Sequence, residues 1–232
     1  MRRKLQRKIS VFLIFIVLVS IISILFLNFV LFPVSVESDS MSPVLKAHDQ
    51  VFASPHFMQK NKSQYGSTFK RGDIVLLSPR APEALSFPKK IVRGFVSFIT
   101  FQKVNPFISG NKMTSQHLLR RIIGLPGDTV YISEYTVYIK PSDSQYFLTE
   151  FELSAKKYDI QSTLTLGTTS FDTTLGTIGT MEQITLNDNE YFVLCDNRIS
   201  GIDSRIWGAV NEKEIEAKAV LRYFPLQEIN LL

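Results

Sequence analysis

Cysteine is almost absent from this chain, and its scarcity restricts the chemistry available. Among 232 residues there is a single cysteine, Cys195. One thiol cannot form an intramolecular disulfide, and it supplies too few thiolates for a cysteine-built metal site. The composition is otherwise that of a folded protein, with 45% hydrophobic and 20% charged residues, which excludes collagen-like and wholly disordered classes. We therefore expect neither a metal nor another cofactor.

Acidic residues are missing from the first eight positions, which read MRRKLQRK. This segment holds five basic side chains, whereas the rest of the chain has 21 basic and 21 acidic residues. The net charge of +5 therefore belongs to a short tail. Since the remainder is neutral, the charge pattern gives no reason to expect nucleic-acid binding.

Charge of either sign is absent from Ile9 to Val36. The apolar part of this run ends at Phe32, and its 24 residues would span about 36 Å as a helix, against about 30 Å of hydrocarbon. The run is too long for a cleaved signal peptide and contains no alanine for an Ala-x-Ala site. It predicts a transmembrane anchor over residues 9–32, a cytoplasmic tail over 1–8 and an exported domain over 33–232.

After residue 32, no long stretch of the sequence has apolar residues at the 3.6-residue period of an amphipathic helix. Eight short runs rich in β-branched and aromatic residues lie between turn signals and predict a mainly β domain. The predicted strands are Gln50–Ala53, Asp73–Ser78, Leu118–Ile123, Thr129–Ile132, Thr136–Lys140, Tyr191–Cys195, Gly208–Val210 and Ala217–Phe224. Two stretches, about 79–111 and 142–189, interrupt this pattern. We interpret both as variable insertions, the second as an insertion or a small subdomain.

Four short motifs follow the anchor in order. They are SDSMSPVL from Ser38, RGDIVLL from Arg71, LLRRIIGLPGDTV from Leu118 and CDNRISGIDSRIWG from Cys195. Together they resemble the type I signal peptidases, the membrane-bound serine proteases that remove signal peptides from exported proteins. The resemblance implies a β-rich catalytic domain on the outer side of the bacterial inner membrane. It also implies that signal peptides of preproteins and membrane lipid are the partners, and that cleavage follows small residues.

The resemblance implies roles for several residues. Ser40, the serine before the methionine, is expected to be the nucleophile. Ser38 and the backbone N–H of Ser40 are expected to form the oxyanion hole, whose donors are worth about 2.7–4 kcal/mol each. Asp203 and Arg205 are expected to brace the site. The turn Gly124–Asp128 is expected to aim the strand that carries the general base.

Three positions depart from the family pattern. Arg120 lies where bacterial members have the lysine general base, Gly201 lies where they have a serine that orients this lysine, and Cys195 replaces a glycine. A guanidinium has a pKa above 12, so its deprotonation near pH 7 would cost about 7 kcal/mol. General-base catalysis contributes only about 10²–10⁴ in rate. We therefore do not expect Arg120 to act as the base.

Several explanations of these departures stay open. The first explanation is a catalytically impaired relative, which binds either peptides or a membrane partner. The second is an enzyme that uses another base. His117 is the first candidate for that base, followed by His48 and His56, and Ser200 is a candidate for the missing serine. A third explanation is weak, water-assisted activity on the oxyanion hole alone. Signal-peptide cleavage is the primary hypothesis.

Two further interpretations concern other properties of the chain. The segment 89–107 combines lysines with a phenylalanine at every third position of its apolar centre, a pattern typical of a segment lying among lipid headgroups.

A membrane-anchored structural β domain without a peptide groove is the alternative hypothesis from another class of function. A peptidase site, by contrast, requires Ser38 and Ser40 to meet Arg120 and Gly201 in one open cleft.

Overall fold

The structure is a computed structural model, and it describes residues 7–19, 30–59, 68–77, 118–162, 179–199 and 201–232. The chain divides into two compact units. The first comprises Met1–Phe32 and Pro82–Thr114, and the second comprises Pro33–Ala81 and Ser115–Leu232. All the site residues expected from the sequence belong to the second unit.

The described part of the first unit is mainly one helix, α1, over residues 7–19. This helix begins in the basic tail, continues into the uncharged run and has exposed side chains throughout. Among the described residues, no helix has both the length and the apolar character needed to cross a membrane. Residues 20–29 and the basic-apolar segment 89–107 lie outside the described residues. The anchor over residues 9–32 therefore stays a prediction.

The second unit is mainly β, as the sequence predicts. The strands are β1 (Phe32–Ser35), β2 (Gln50–Pro55), β3 (Ile74–Leu77), β4 (Leu118–Gly124), β5 (Thr129–Ser133), β6 (Thr136–Lys140), β7 (Leu148–Thr149), β8 (Met181–Thr185), β9 (Glu190–Leu194), β10 (Val210–Asn211), β11 (Ile215–Phe224) and β12 (Asn230–Leu231). The larger sheet has the order β1-β2-β11-β3-β4-β9-β10, with β12 paired to β11, and the smaller has the order β7-β6-β5-β8. The described residues of this unit also form two short α-helices, α2 (Glu150–Leu153) and α3 (Ser204–Trp207), which lie between strands.

Each of the eight predicted strands is confirmed, with ends that differ by at most two residues. Sequence reasoning missed β1, β7, β8 and β12. Two of these, β7 and β8, lie in the stretch 142–189, which we interpret above as an insertion or a small subdomain. Because β7 pairs with β6 and β8 pairs with β5, the described strands of this stretch complete the smaller sheet.

Strand β4 is buried on both faces, because its successive side chains enter two different hydrophobic clusters. Ile122 packs with Val75, Tyr191 and Val193, whereas Ile123 packs in the cluster that reaches the smaller sheet. Adjacent residues of a strand point to opposite faces, and each fully buried aliphatic side chain stabilises the fold by about 1.5–3 kcal/mol. This double burial makes β4 a fixed frame for the polar residues that precede Ile122.

The turn Gly124–Asp128 joins β4 to β5 and is tied to the RGD segment. The backbone N–H of Leu125 donates to the Asp128 carboxylate over 2.6 Å, and Gly127 adopts a φ of +83° that favours glycine. Arg71 forms an ion pair with Asp128 at 2.5 Å and donates to the carbonyl oxygen of Ile123 over 2.9 Å. The turn and the RGD segment therefore fix the end of β4.

A buried ion pair joins β4 to the loop that follows β9. Arg121 donates to both carboxylate oxygens of Asp196, through Nε over 2.7 Å and Nη2 over 2.5 Å. Its remaining nitrogen, Nη1, donates to the carbonyl oxygen of Gly72 over 2.7 Å. The Arg121 and Asp196 side chains are only 4% and 0% exposed, so neither charge is screened by water.

Removing one partner of this pair is expected to be costly. Asp196→Ala leaves the Arg121 guanidinium buried without its counter-ion, and we expect the free energy of unfolding to fall by about 3–5 kcal/mol. The measurement is urea unfolding of the full chain in detergent. Asp188→Ala removes a carboxylate that is exposed and should change stability by less than about 0.5 kcal/mol. An equal loss in the two variants would contradict a stabilising role for the pair.

Candidate active site

Ser40 lies in a short 3-10 helix, Asp39–Met41, just after β1. The Met41 side chain is fully buried, and it fixes the helix to the core. The carbonyl oxygen of Ser40 accepts from the backbone N–H of Asn197 over 3.0 Å, while the Asp39 carboxylate accepts from the backbone N–H of Ala47 over 2.9 Å. The main chain around Ser40 is thus held on both sides.

The Ser40 hydroxyl lies between two polar side chains. Ser38 Oγ donates to Ser40 Oγ over 3.1 Å, and Arg120 Nη1 donates to the same oxygen over 3.2 Å. All three residues line one small cleft, together with Val36, Glu37, Leu118 and Leu119. The structure therefore brings Ser38, Ser40 and Arg120 together in one cleft, whereas Gly201 is not among the described residues that line it.

Arg120 is oriented by strand alternation and by a main-chain acceptor. It neighbours Arg121 in β4, so the two side chains point to opposite faces of the strand. Its Nε and Nη2 atoms donate to the carbonyl oxygen of Ile202 over 2.9 and 2.7 Å, and its Cζ atom lies 5.8 Å from the ring centroid of Trp207. The residue is only 3% exposed, so the guanidinium is held rigidly behind Ser40.

Asp203 and Arg205 form a buried pair behind the cleft. Arg205 donates to Asp203 through Nε and Nη2, both over 2.9 Å, and Nη1 donates to the carbonyl oxygen of Arg198 over 2.8 Å. The Asp203 carboxylate also accepts from the backbone N–H of Cys195 over 3.0 Å. These contacts join α3 to the end of β9 and to the loop after it, and the bracing role expected of the pair stays a prediction.

Gly201 occupies a position with no room for a side chain. Its φ of +124° is unfavourable for other residues, and a Cβ atom there would lie 2.6 Å from Cys195 Sγ and 3.3 Å from Ser40 Cβ. The cysteine sulfur therefore fills the space into which a side chain at 201 would project. Nothing in the sequence indicates that Cys195 and Gly201, named above as separate departures from the family pattern, share one contact.

The Cys195 thiol is a neutral filler of this space. Burial raises its pKa to about 12, although the nearby positive charge of Arg120 opposes that shift. Because only the thiolate is a strong nucleophile, Cys195 does not compete with Ser40 near neutral pH.

Among the described residues, no histidine hydrogen-bonds to Ser40 Oγ. His56 Nε2 lies 3.0 Å from the Glu212 carboxylate, and His48 is an exposed residue with a φ of +73°. His117 and Ser200, the other candidates for the base and for its orienting hydroxyl, lie outside the described residues. Within the described ranges, no group of His, Cys, Asp or Glu side chains has the proximity needed to hold a metal ion.

Comparison with known sequences identifies the family of this chain. The profile of the family described as signal peptidase, peptidase S26, matches residues 8–224. The chain belongs to this family. The order of the four motifs, from which the sequence analysis inferred a type I signal peptidase, is thereby explained.

Individual relatives agree with the family assignment. Signal peptidase I of Bacillus amyloliquefaciens is 26% identical over 204 residues, which cover 87% of this chain and 80% of the relative. Signal peptidase I S of Bacillus subtilis strain 168 is 28% identical over 205 residues, covering 87% and 82%. A solved signal peptidase I from Enterococcus faecalis V583 is 23% identical with a TM-score of 0.31, covering 65% of this chain and 95% of that structure. The family places the chain among serine endopeptidases of the signal peptidase I type.

The contact between Cys195 and Gly201 generates a prediction about stability. Gly201→Ser should destabilise the protein by about 1–3 kcal/mol through overpacking, in addition to its backbone strain. Cys195→Gly removes the sulfur, so the cost of Gly201→Ser should be smaller in that background. A double-mutant cycle of unfolding free energies measures this coupling.

Gly208 provides the matched control for this cycle. It has a φ of +82°, but a Cβ there would meet nothing within 4 Å. Gly208→Ser therefore introduces backbone strain without crowding, and its cost should not depend on Cys195. If Cys195→Gly left the cost of Gly201→Ser unchanged, the steric coupling between positions 195 and 201 would be refuted.

Proposed function

We propose that this protein is a membrane-anchored serine endopeptidase that removes signal peptides from exported preproteins after small residues. The observation that carries the proposal is the Ser40 hydroxyl, held at 3.1 Å from Ser38 Oγ and 3.2 Å from Arg120 Nη1 in an open cleft. In a chain of the signal peptidase family, this arrangement supports Ser40 as the nucleophile.

In this mechanism Ser40 Oγ attacks the carbonyl carbon of the scissile peptide bond. The amine of the mature protein leaves, and water then hydrolyses the acyl-enzyme to release the signal peptide with a new carboxylate. Ser38 Oγ and the backbone N–H of Ser40 are the proposed donors to the oxyanion. The position of Ser40 in a short 3-10 helix supports the second donor, because amide groups in the first turn of a helix lack partners within it.

Arg120 takes an electrostatic role in place of that of a base. Its guanidinium stays protonated at neutral pH, so it cannot accept the Ser40 proton. It can still stabilise negative charge that develops on Ser40 Oγ, because it is buried and hydrogen-bonded to that oxygen. The proton of Ser40 would then pass to water or hydroxide, which predicts slow cleavage that accelerates as the pH rises.

The N-terminal residues are proposed to hold the site at the membrane. Residues 9–32 would span the bilayer, residues 1–8 would stay in the cytoplasm and residues 33–232 would lie outside the cytoplasmic membrane. Ser40 would follow the anchor by only a few residues, near the level at which a membrane-inserted signal peptide emerges. Holding enzyme and substrate in one bilayer raises their effective concentration, which offsets part of the loss of a strong base.

The nucleophile assignment predicts that Ser40→Ala abolishes cleavage. Ser38→Ala should lower the rate by about 10²–10³, because one oxyanion donor is lost. The assay uses the full chain in vesicles with a preprotein whose signal peptide ends in Ala-x-Ala, and mass spectrometry identifies the new N-terminus. Ser35→Ala is the matched control, since Ser35 is an exposed serine of β1 and its removal should leave the rate unchanged. Full activity in Ser40→Ala would exclude Ser40 as the nucleophile.

Restoring the family's residues should restore its chemistry. The change Arg120→Lys alone should do little, because the lysine lacks an orienting hydroxyl. Combining Arg120→Lys with Gly201→Ser and Cys195→Gly supplies both the hydroxyl and the space for it, and should raise the rate by about 10²–10⁴. The gain should exceed the product of the single effects and should increase with pH through the pKa of the lysine. A wild type already as fast as the triple variant would show that another base operates.

A further inference from the structure

Arg120 lacks a carboxylate partner among the described residues, unlike five other buried or half-buried arginines. Each of these five forms an ion pair with Asp or Glu at 2.5–3.3 Å. They are Arg71, Arg121, Arg198, Arg205 and Arg222. The described partners of Arg120 are neutral oxygens, namely two carbonyls and the Ser40 hydroxyl. A buried cation without a counter-ion favours the binding of an anion.

The Nη1 atom of this guanidinium faces the cleft through its contact with Ser40 Oγ. Four of its five N–H groups are used, two on the Ile202 carbonyl, one on the Leu119 carbonyl and one on Ser40 Oγ. The contact with Ser40 is the exchangeable one, because Ser40 and Arg120 both line the open cleft. An anionic oxygen entering the cleft would therefore meet Nη1 beside the Ser38 hydroxyl.

The surrounding charges do not neutralise Arg120. Asp203 is engaged in its ion pair with Arg205, and Cys195 stays neutral because burial raises its pKa. Among the described residues that line the cleft, Glu37 is the one acidic residue, but its side chain is exposed to water and forms no described ion pair with Arg120. The cleft therefore presents one buried positive charge to a ligand.

We propose that Arg120 makes this cleft a binding site for the C-terminal carboxylate of a peptide ending in a small residue, which is the signal peptide released by cleavage. The inference rests on the proposed function, because the carbon attacked by Ser40 becomes the carbon of that carboxylate. Both oxygens of the carboxylate are bonded to the carbon that Ser40 attacks, and Arg120 Nη1 is only 3.2 Å from Ser40 Oγ. The carboxylate would therefore form within reach of the guanidinium. A charge-assisted hydrogen bond then holds the product.

Arginine and lysine differ at this position in the charge they present. A lysine that serves as general base must be neutral when it works, so it gives a carboxylate no ionic partner. Arg120 is charged throughout the working pH range. Retention of the cleaved signal peptide, and hence product inhibition, is the consequence of this substitution.

The test compares two forms of one short peptide ending in Ala-Ser-Ala, one with a free C-terminal carboxylate and one with a carboxamide. Dissociation constants are measured with the full chain in detergent by fluorescence anisotropy. We expect the acid to bind about tenfold tighter than the amide, which corresponds to about 1.4 kcal/mol. Equal affinity of the two peptides for the wild type would overturn the proposal, and this comparison does not depend on any variant.

Two variants and a third peptide identify the group involved. Arg120→Met should abolish the preference for the acid, whereas Lys157→Met, which removes an exposed positive charge, should preserve it. Loss of the preference in Lys157→Met alone would overturn the assignment to Arg120. An amidated peptide carrying an internal aspartate should bind like the amide. If it bound like the acid, a side-chain carboxylate would be the ligand and the proposed terminal carboxylate would be wrong.

This experiment separates the inference from the proposed function. The peptides contain no residue beyond the cleavage point, so their binding requires no turnover. A preference for the acid without cleavage of a preprotein would support the site and refute the enzyme. Cleavage that depends on Ser40, with no preference for the acid, would support the enzyme and refute the site.

Discussion

The bidentate contact between Arg121 and Asp196 is the interaction on which the geometry of the site depends. It joins β4 to the loop after β9, and the next residue of that loop, Asn197, donates its backbone N–H to the carbonyl oxygen of Ser40. The same loop is held from its other side by the ion pair between Arg198 and Glu150 at 2.6 Å. Because β4 also carries Arg120, one buried pair fixes the distance between the Ser40 hydroxyl and the Arg120 guanidinium.

Strand alternation allows neighbouring arginines to have opposite consequences. Arg121 faces a carboxylate and stabilises the fold, whereas Arg120 faces neutral oxygens and leaves its charge available to the cleft. Two positions near Arg120 are also physically linked. A side chain at Gly201 would collide with Cys195, so the size of the residue at one position limits the size of the residue at the other.

Sequence reasoning predicted the regular strands and the motifs, and it failed where pairing partners decide the structure. The strands β4, β5 and β6 are rich in β-branched residues and bounded by turns, so they were predictable from local chemistry. The two-residue strands β7 and β12 are too short to show a period, and β8, which reads MEQIT, has three polar residues among its five. In the site, motif order brought Ser38, Ser40 and Arg120 into consideration, but only coordinates reveal that Cys195 and Gly201 share one space.

Burial has different consequences for the charge of a lysine and of an arginine at the position where the general base is expected. Desolvation lowers the pKa of a lysine by several units, so the same environment that excludes water also generates a neutral base. An arginine begins from a pKa above 12, so comparable desolvation leaves it charged. The site then favours negative states, which are the serine alkoxide and the product carboxylate, over the neutral peptide bond of the substrate. If the proposed roles of Ser40 and Arg120 hold, the charge of Arg120 therefore favours retention of the cleaved peptide over turnover.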